Sequence, residues 1–431
     1  MLNRQFDLSS TLKKQDPKIT SIIQEEMDRQ LTSVNLIASE NYASTAVLEA
    51  TGTVLTNKYA EGYPGSRYYG GCEFVDKAEN LAIERAKELF GADHANVQSH
   101  SGTGANMAAY AAMLAPGDTV LGMLLDQGGH LSHGSPVNFS GKNYNFIGYG
   151  VDRDTEQIDF EKVYELANTH KPKIILAGYT AYPRVVEFDK FKKIADACNA
   201  KLMVDMAHIS GLIAGNAHPS PVPYADIVTS TTHKTLRGPR GAMILCKEDL
   251  RASVNRSVFP QNQGGPFMHV IAAKAIAFGE ALNPGFQQYA ARVVENSKKL
   301  AEILGKAGLR IVSGGTDTHL FLVDVTPLNL TGRKAEEILS EVNIYVNRNA
   351  IPYDEKPPRI TSGMRIGTAA VTSRGMDSVN MTQLGHLIVR ALTNYEKKAN
   401  LDEIKKEVMD LVGNFPVPGI NCESGFPFFD N

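Results

Sequence analysis

Cysteine is scarce: 431 residues carry four, at Cys72, Cys198, Cys246 and Cys422. They are scattered and show no metal-type pairing, so reduced structural thiols are expected, with Cys198 and Cys246 in apolar runs as small core residues. No stretch approaches the ~20 consecutive apolar residues a membrane span needs. The opening Met1-Leu2-Asn3-Arg4-Gln5-Phe6-Asp7 lacks the apolar core of a signal peptide. A cytoplasmic location is expected. Charge of one sign is lacking too: 44 Lys and Arg stand against 47 Asp and Glu, a formal −3, so no basic surface for nucleic acid is implied. Low-complexity segments and solenoid-period repeats are absent.

What is there reads as a large soluble α/β chain. The apolar fraction is 43% and the charged fraction 21%, and the length implies two domains. A polar arm over 1–35 holds one helix: Asp16-Pro17 looks like a cap and first-turn proline, and Ile19, Ile22, Ile23, Met27 and Leu31 recur at helical spacing. A large domain follows over 36–283. Strands are expected at Asn96–Gln98, Thr119–Met123, Ile174–Ala177, Lys201–Val204 and Ile227–Thr229. Helices are expected at Ala78–Phe90, Gly104–Leu114 and Phe188–Cys198. Alternation of this kind implies a mostly parallel sheet, with ligands where strands give way to loops. Past Asn283-Pro284-Gly285 a smaller α+β domain, 284–431, opens with a helix near 287–307. Strands are expected there at Arg310–Val312, His319–Val323 and Ile344–Val346.

Several residues at such strand ends could carry chemistry, each with an ordinary alternative. Lys234, in Thr231-Thr232-His233-Lys234-Thr235, offers an amine that attacks a carbonyl once neutral; it also reads as a surface lysine. Asp205 ends Leu202-Met203-Val204 and could hold a pyridinium nitrogen protonated, with His208 beside it; it could equally cap a turn. His100-Ser101-Gly102-Thr103-Gly104-Ala105-Asn106 puts small residues and hydroxyls at a helix start, an anion site or a plain cap, and it lacks the lysine of a Walker loop. His130 and His133, in Gly128-Gly129-His130-Leu131-Ser132-His133-Gly134, have no third ligand of clear spacing, so no metal is expected; a flat imidazole could stack on an aromatic cofactor. Arg365 presents a fork for a carboxylate, or for a structural ion pair. Asn57–Gly65, with Arg67-Tyr68-Tyr69-Gly70-Gly71, looks like a binding loop or a packed surface loop, and Glu61 is its acid. Together these supply an amine nucleophile, a pyridinium partner, a phosphate cradle, a ring-stacking imidazole and a carboxylate clamp, the set pyridoxal phosphate chemistry on an amino acid requires.

The chain resembles the serine hydroxymethyltransferase family, of the aspartate-aminotransferase-like pyridoxal phosphate enzymes (fold type I), from about Leu36 to Arg374. The motifs are Leu36-Ile37-Ala38-Ser39-Glu40-Asn41, Asn57–Gly65, Gly128–Lys142, Val204-Asp205-Met206-Ala207-His208, Thr231–Gly241, Gln263-Gly264-Gly265-Pro266 and Gly314-Gly315-Thr316-Asp317. The resemblance implies Lys234 as the Schiff-base lysine, Asp205 on the pyridine nitrogen, His130 on the ring, Gly102 and Thr103 on the phosphate, and Thr180 and His208 in the cofactor site. It implies that Tyr59 and Gly265 reach the cofactor from the partner of a homodimer. Ser39 and Arg365 would bind the substrate carboxylate, Glu61 would handle the serine hydroxyl proton, and Tyr69 and His233 would shape the reacting centre. Leu125, Gly129, His130, Leu131 and Asn349 would meet tetrahydrofolate. The implied reaction moves the hydroxymethyl carbon of L-serine to tetrahydrofolate, giving glycine and 5,10-methylenetetrahydrofolate. Departures from the family pattern stand at Asn35, Thr103, Gln127, Tyr179-Thr180 and Gln261-Asn262, and Pro357-Pro358-Arg359 precedes Arg365. An α-methylserine hydroxymethyltransferase and a folate-independent threonine-type aldolase are alternatives on the same scaffold. A non-catalytic RNA-binding homologue is opposed by the intact Lys234, Asp205 and Arg365.

Overall fold

A computed structural model describes residues 10–421 and 427–428; the readings of Met1–Asp7 and Cys422 lie outside the described residues. The chain forms two compact units, one over Val47–Ala291 and the other from the chain up to Ala46 together with the chain from Arg292. These cuts differ from the expected 35 and 283. Val34–Asn35 pairs in parallel with Ile344–Tyr345, which ties the segment after the arm to the C-terminal part. The second cut falls inside the helix Gly285–Lys306, a place no loop signal marks.

The Val47–Ala291 unit is built on seven strands: β1 (His94–Asn96), β2 (Thr119–Met123), β3 (Asn145–Tyr149), β4 (Ile174–Gly178), β5 (Lys201–Asp205), β6 (Ile227–Thr231) and β7 (Ala242–Cys246). Their spatial order is β1-β7-β6-β5-β4-β2-β3. β3 through β6 run parallel, while β7 is antiparallel to both β6 and β1. Every residue of β4, β6 and β7 is buried, as expected of strands covered on both faces, and this is why they read as unbroken apolar runs. The chain steps outward from β2 to β3 and then back across β2 to β4. That reversal puts a crevice at the carboxyl ends of β2 and β4, where open α/β sheets collect ligands. Three helices matter for the site: α1 (Glu73–Phe90), α2 (Gly102–Met113) and α3 (Met268–Ala281). β1 begins two residues before its expected position, and β3 and β7 carry no expectation.

In the other unit a four-stranded antiparallel sheet has the order β8 (Arg310–Ile311), β9 (Leu320–Asp324), β11 (Gly363–Gly367), β10 (Asn347–Asn349). The arm holds two helices rather than one, Ser10–Gln15 and Pro17–Leu31, the second capped by Asp16, whose Oδ1 accepts from Lys18 and Ile19. The apolar stripe divides. Met27 and Leu31 bury in their own unit with Tyr42, Ala370 and Val417, while Ile19 and Ile22 stay exposed. Cys246 is buried, whereas Cys198 is only half-buried because it caps the helix Phe188–Ala197. No helix among the described residues is long and apolar enough to cross a membrane.

Candidate active site

The carboxyl ends of the strands carry the expected residues of the Val47–Ala291 unit other than Tyr59, Glu61, Tyr69 and Gly265. Asp205 is the last residue of β5, and its side chain is 11% exposed. One oxygen takes hydrogen bonds from Ala207 N–H at 3.0 Å; the other lies 2.8 Å from Asn106 Nδ2 and 3.0 Å from His133 Nε2. Burial alone would raise the pKa. The His133 hydrogen bond and charge, the His130 charge and the Asn106 hydrogen bond outweigh it, and the carboxyl is held well below its usual range. Asn106 is fixed in turn: Thr229 on β6 donates to its Oδ1 at 2.6 Å, and its Nδ2 also reaches Ser132 Oγ at 2.9 Å. Ser132 Oγ lies 2.7 Å from His130 Nδ1, so the ring of His130 is oriented by the same network that holds Asp205.

Lys234 follows β6 by three residues. Its loop closes on itself: Arg237 N–H donates to Lys234 O at 3.0 Å and Gly238 N–H to Thr232 O at 2.6 Å. The neighbouring His233 is half-buried; desolvation, then the charges of Arg240 and Lys234, bring its pKa down to about 3, so the imidazole is neutral at physiological pH. The turn before α2 is capped by Ser101, whose Oγ accepts from Gly104 N–H at 3.2 Å. The first-turn N–H groups of Gly102 and Thr103 have no helical carbonyl ahead of them. At the crevice, Thr180 after β4 donates to Gly129 O after β2 at 2.8 Å, and its N–H donates to Gly128 O at 2.8 Å. This residue thereby fixes the Leu125–Leu131 turn. His208 is buried, and its carbonyl accepts from Thr235 Oγ1 at 2.9 Å.

Tyr59, Glu61, Tyr69 and Gly265 form a separate cluster. Tyr59 Oη is 3.3 Å from Glu61 Oε1, and its ring meets that of Tyr69 edge-on at 5.2 Å. A Cβ on Gly265 would lie 3.1 Å from Tyr59 Cζ, so the glycine makes room for the ring. Arg67 braces the segment, donating to Ala60 O and Gly62 O at 2.9 and 3.0 Å while pairing with Asp76 and the buried Glu79.

The other unit carries the remaining expected residues. Arg365 lies in β11, a strand with no apolar signal, opposite Asn347 of β10, to whose Oδ1 it donates at 3.1 Å. Burial brings its guanidinium down to about 10, so it keeps its charge at neutral pH. Gly367 N–H donates to Leu36 O at 2.8 Å, and a Cβ on Gly367 would lie 2.4 Å from Ala38 Cα. That glycine lets the Leu36–Ser39 segment run against the strand of Arg365. Asn35 starts the segment with an Asx turn, accepting from Ile37 N–H at 3.0 Å and donating to Glu40 at 2.9 Å. Asn349 ends β10, its Nδ2 donating to Ala350 O at 2.7 Å.

A family model described as serine hydroxymethyltransferase matches residues 12–388. The chain belongs to that family. As a serine hydroxymethyltransferase it uses pyridoxal phosphate to interconvert serine and glycine, with tetrahydrofolate as the one-carbon acceptor. The mixed α/β sheet unit and the smaller α+β part are the fold of that class.

The pocket fits the cofactor on its own evidence. A Cβ on Gly102 would come within 2.7 Å of Thr231 Cγ2, so the backbone at the turn before α2 is bare because nothing larger fits, as a bound phosphate would require. Asp205 is a largely buried acceptor kept ionised, the group needed opposite a pyridinium N–H. Among the described residues no cluster of three or more His, Cys, Asp or Glu side chains is arranged to hold a metal ion; His130 and His133 have rings 5.4 Å apart and share the Asp205 network. Sequence reasoning missed Asn106, Ser132, Thr229 and Arg67 as site residues, and took His133 only for a possible ligand. Their signal was faint, among them a lone amide on an alanine-rich helix and hydroxyls on a turn and a strand.

Proposed function

We propose that within this family reaction Lys234 is the amine that carries the cofactor, Asp205 holds its ring nitrogen protonated, Gly102 and Thr103 bind its phosphate, and His130 covers its ring, with Thr180 and His208 lining the site. Bound pyridoxal phosphate supplies an electron sink for cleavage at the amino acid's α-carbon. Ser39 and Arg365 bind the substrate carboxylate. Glu61 takes and returns the hydroxyl proton, and Tyr69 and the neutral His233 shape the reacting centre without adding charge. Leu125, Gly129, His130, Leu131 and Asn349 meet the folate. The observation that carries the assignment is the Asp205 constellation: a carboxylate kept ionised under burial by side chains from two other segments has little structural reason to exist without a cation facing it.

We further propose a cytoplasmic homodimer in which Tyr59, Glu61, Tyr69 and Gly265 serve the pocket of the partner. Support comes from the exposure of Tyr59, Tyr68, Tyr69, Phe267 and Val54, at 55, 74, 47, 48 and 79%, an apolar surface typical of an interface. The test is complementation. Lys234→Ala and Glu61→Gln are each inactive alone; in mixed dimers one of two sites has both residues, so random reassociation should restore about a quarter of wild-type activity. No recovery in verified mixed dimers would overturn the shared site.

A further inference from the structure

The buried cation in α3 has no part in the chemistry above. Lys274 is 1% exposed on a helix otherwise buried through Met268, Ile271, Ala273, Ala275, Ala277, Phe278 and Ala281. Its ammonium donates to three main-chain carbonyls: Val97 at 2.6 Å, Ala242 at 2.8 Å and Ser99 at 3.0 Å. Desolvation draws its pKa down to about 7, against the favourable charge of Glu79 on α1. An ammonium has three protons, and here each has a carbonyl.

The three acceptors lie on the two segments that form the cofactor pocket. Val97 and Ser99 lead from β1 into the phosphate turn at Ser101–Thr103. Ala242 opens β7, just after the loop of Lys234. That loop is bonded back to the same point: Thr232 N–H donates to Gly241 O at 3.0 Å, and Thr232 Oγ1 donates to Pro239 O at 2.6 Å. Gly241 is bare for the lysine, since a Cβ there would stand 2.6 Å from Lys274 Cε and 3.2 Å from its Nζ. Ala242 N–H also donates to Ser99 O at 3.1 Å, so one carbonyl joins both segments and the ammonium.

We infer that Lys274 is a positioning residue for the cofactor pocket, its ammonium setting the spacing between the phosphate turn and the Lys234 loop through three carbonyls. The inference rests on the cofactor reading of that pocket. It concerns geometry held in the absence of cofactor, so its effect falls on cofactor affinity as well as on turnover.

The test titrates apoprotein with pyridoxal phosphate, following absorbance, and records melting alongside. Lys274→Met keeps the stem and removes all three donors. Gly241→Ala keeps the ammonium and displaces it. Asn296→Ala, which removes a buried amide bonded to Thr372 and Met376 in the other unit, is the control for general destabilisation. Both pocket variants should fold and bind the cofactor about tenfold or more weakly, as expected when buried carbonyls lose their donors, while Asn296→Ala melts earlier with wild-type affinity. Wild-type affinity in folded Lys274→Met would overturn the inference. If Lys274→Met does not fold, Gly241→Ala decides by the same criterion. Failure of both to fold also overturns it, because the lysine would then hold up the whole unit. Wild-type protein that binds no cofactor would sink the reading of the pocket itself, an outcome distinct from all of these.

Discussion

Asp205 and Tyr59 belong to the same compact unit and to the same proposed reaction, yet their surroundings are built in opposite ways. Around Asp205 a main-chain N–H, an amide and an imidazole converge on one carboxylate, and the amide is held in turn by Thr229 and Ser132. Around Tyr59 the phenol has a long contact to Glu61, an edge-on neighbour in Tyr69 and more than half of its surface in water. The first arrangement draws these partners of its carboxylate from one chain. The second is rigid below, where Arg67, Asp76 and Glu79 pin the backbone, and open above. A catalytic pocket needs its reacting groups fixed before ligand arrives, and the open cluster on a braced base is what supports the proposal that it serves a partner's site.

The largest expected effect is at Lys234. Lys234→Ala should reduce turnover by about 10³-fold or more while the fold is retained. Steady-state assay of serine cleavage with tetrahydrofolate checks it. Near-normal turnover would remove the lysine from the reaction and with it the premise that this pocket is the chemical half of the comparison.

Asp205→Asn comes next and separates the two regions most directly. The neutral amide offers no charge to a ring nitrogen, and it sets an N–H against Asn106 and His133. Turnover should fall by about 10²–10³-fold, the scale seen when one electrostatic partner is removed. Unfolding free energy should fall by about 1–3 kcal/mol. The pH sign follows from the depressed pKa. The carboxylate's contribution is fully present above the unfolded value near ~3.9 and is lost as pH falls through the lower folded value, so the two proteins should converge in stability only in strong acid. Tyr59→Phe, by contrast, should stay within about 0.5 kcal/mol of wild type. Chemical denaturation of both variants at two pH values checks this, and a Tyr59→Phe protein as unstable as Asp205→Asn would erase the distinction.

The contrast also explains what could be read before the fold was known. Lys234, Asp205 and the Gly102 turn were legible because each ends or begins an apolar run, and strand ends are where parallel sheets bind ligands. The core strands β2, β4, β5 and β6 were legible for the same reason. The partners of Asp205 were not: Asn106 and His133 meet it across 99 and 72 residues of chain, and no local pattern announces a contact of that range. Lys274 was hidden differently, as one lysine in an alanine-rich helix that reads as a solvated position. Arg365 was legible as a residue and its strand was not, because Gly363-Met364-Arg365-Ile366-Gly367 carries two glycines and a cation where a strand signal needs apolar or β-branched residues.

The smallest effect sharpens the comparison from inside the pocket wall. Gln127 lies two residues before Gly129, and its side chain is tied into the wall of the turn. Its Oε1 accepts from Val151 N–H at 2.8 Å, with both groups buried. A Cβ on Gly150 would lie 2.2 Å from that oxygen, so the chain leaves the space for it. The bond ties the Leu125–Leu131 turn to the segment after β3, separately from the Thr180 tie. Gln127→Ala removes this buried hydrogen bond and should cost about 0.5–1.5 kcal/mol, read as a lower melting temperature, with pyridoxal phosphate affinity unchanged because no proposed cofactor contact is lost. The folate KM should rise only a few-fold, since Thr180 still holds Gly128 and Gly129. Wild-type melting in Gln127→Ala would mean that the amide carries none of the turn, and a loss of cofactor affinity would mean that the satisfied pocket extends further along β2 than the Asp205 network.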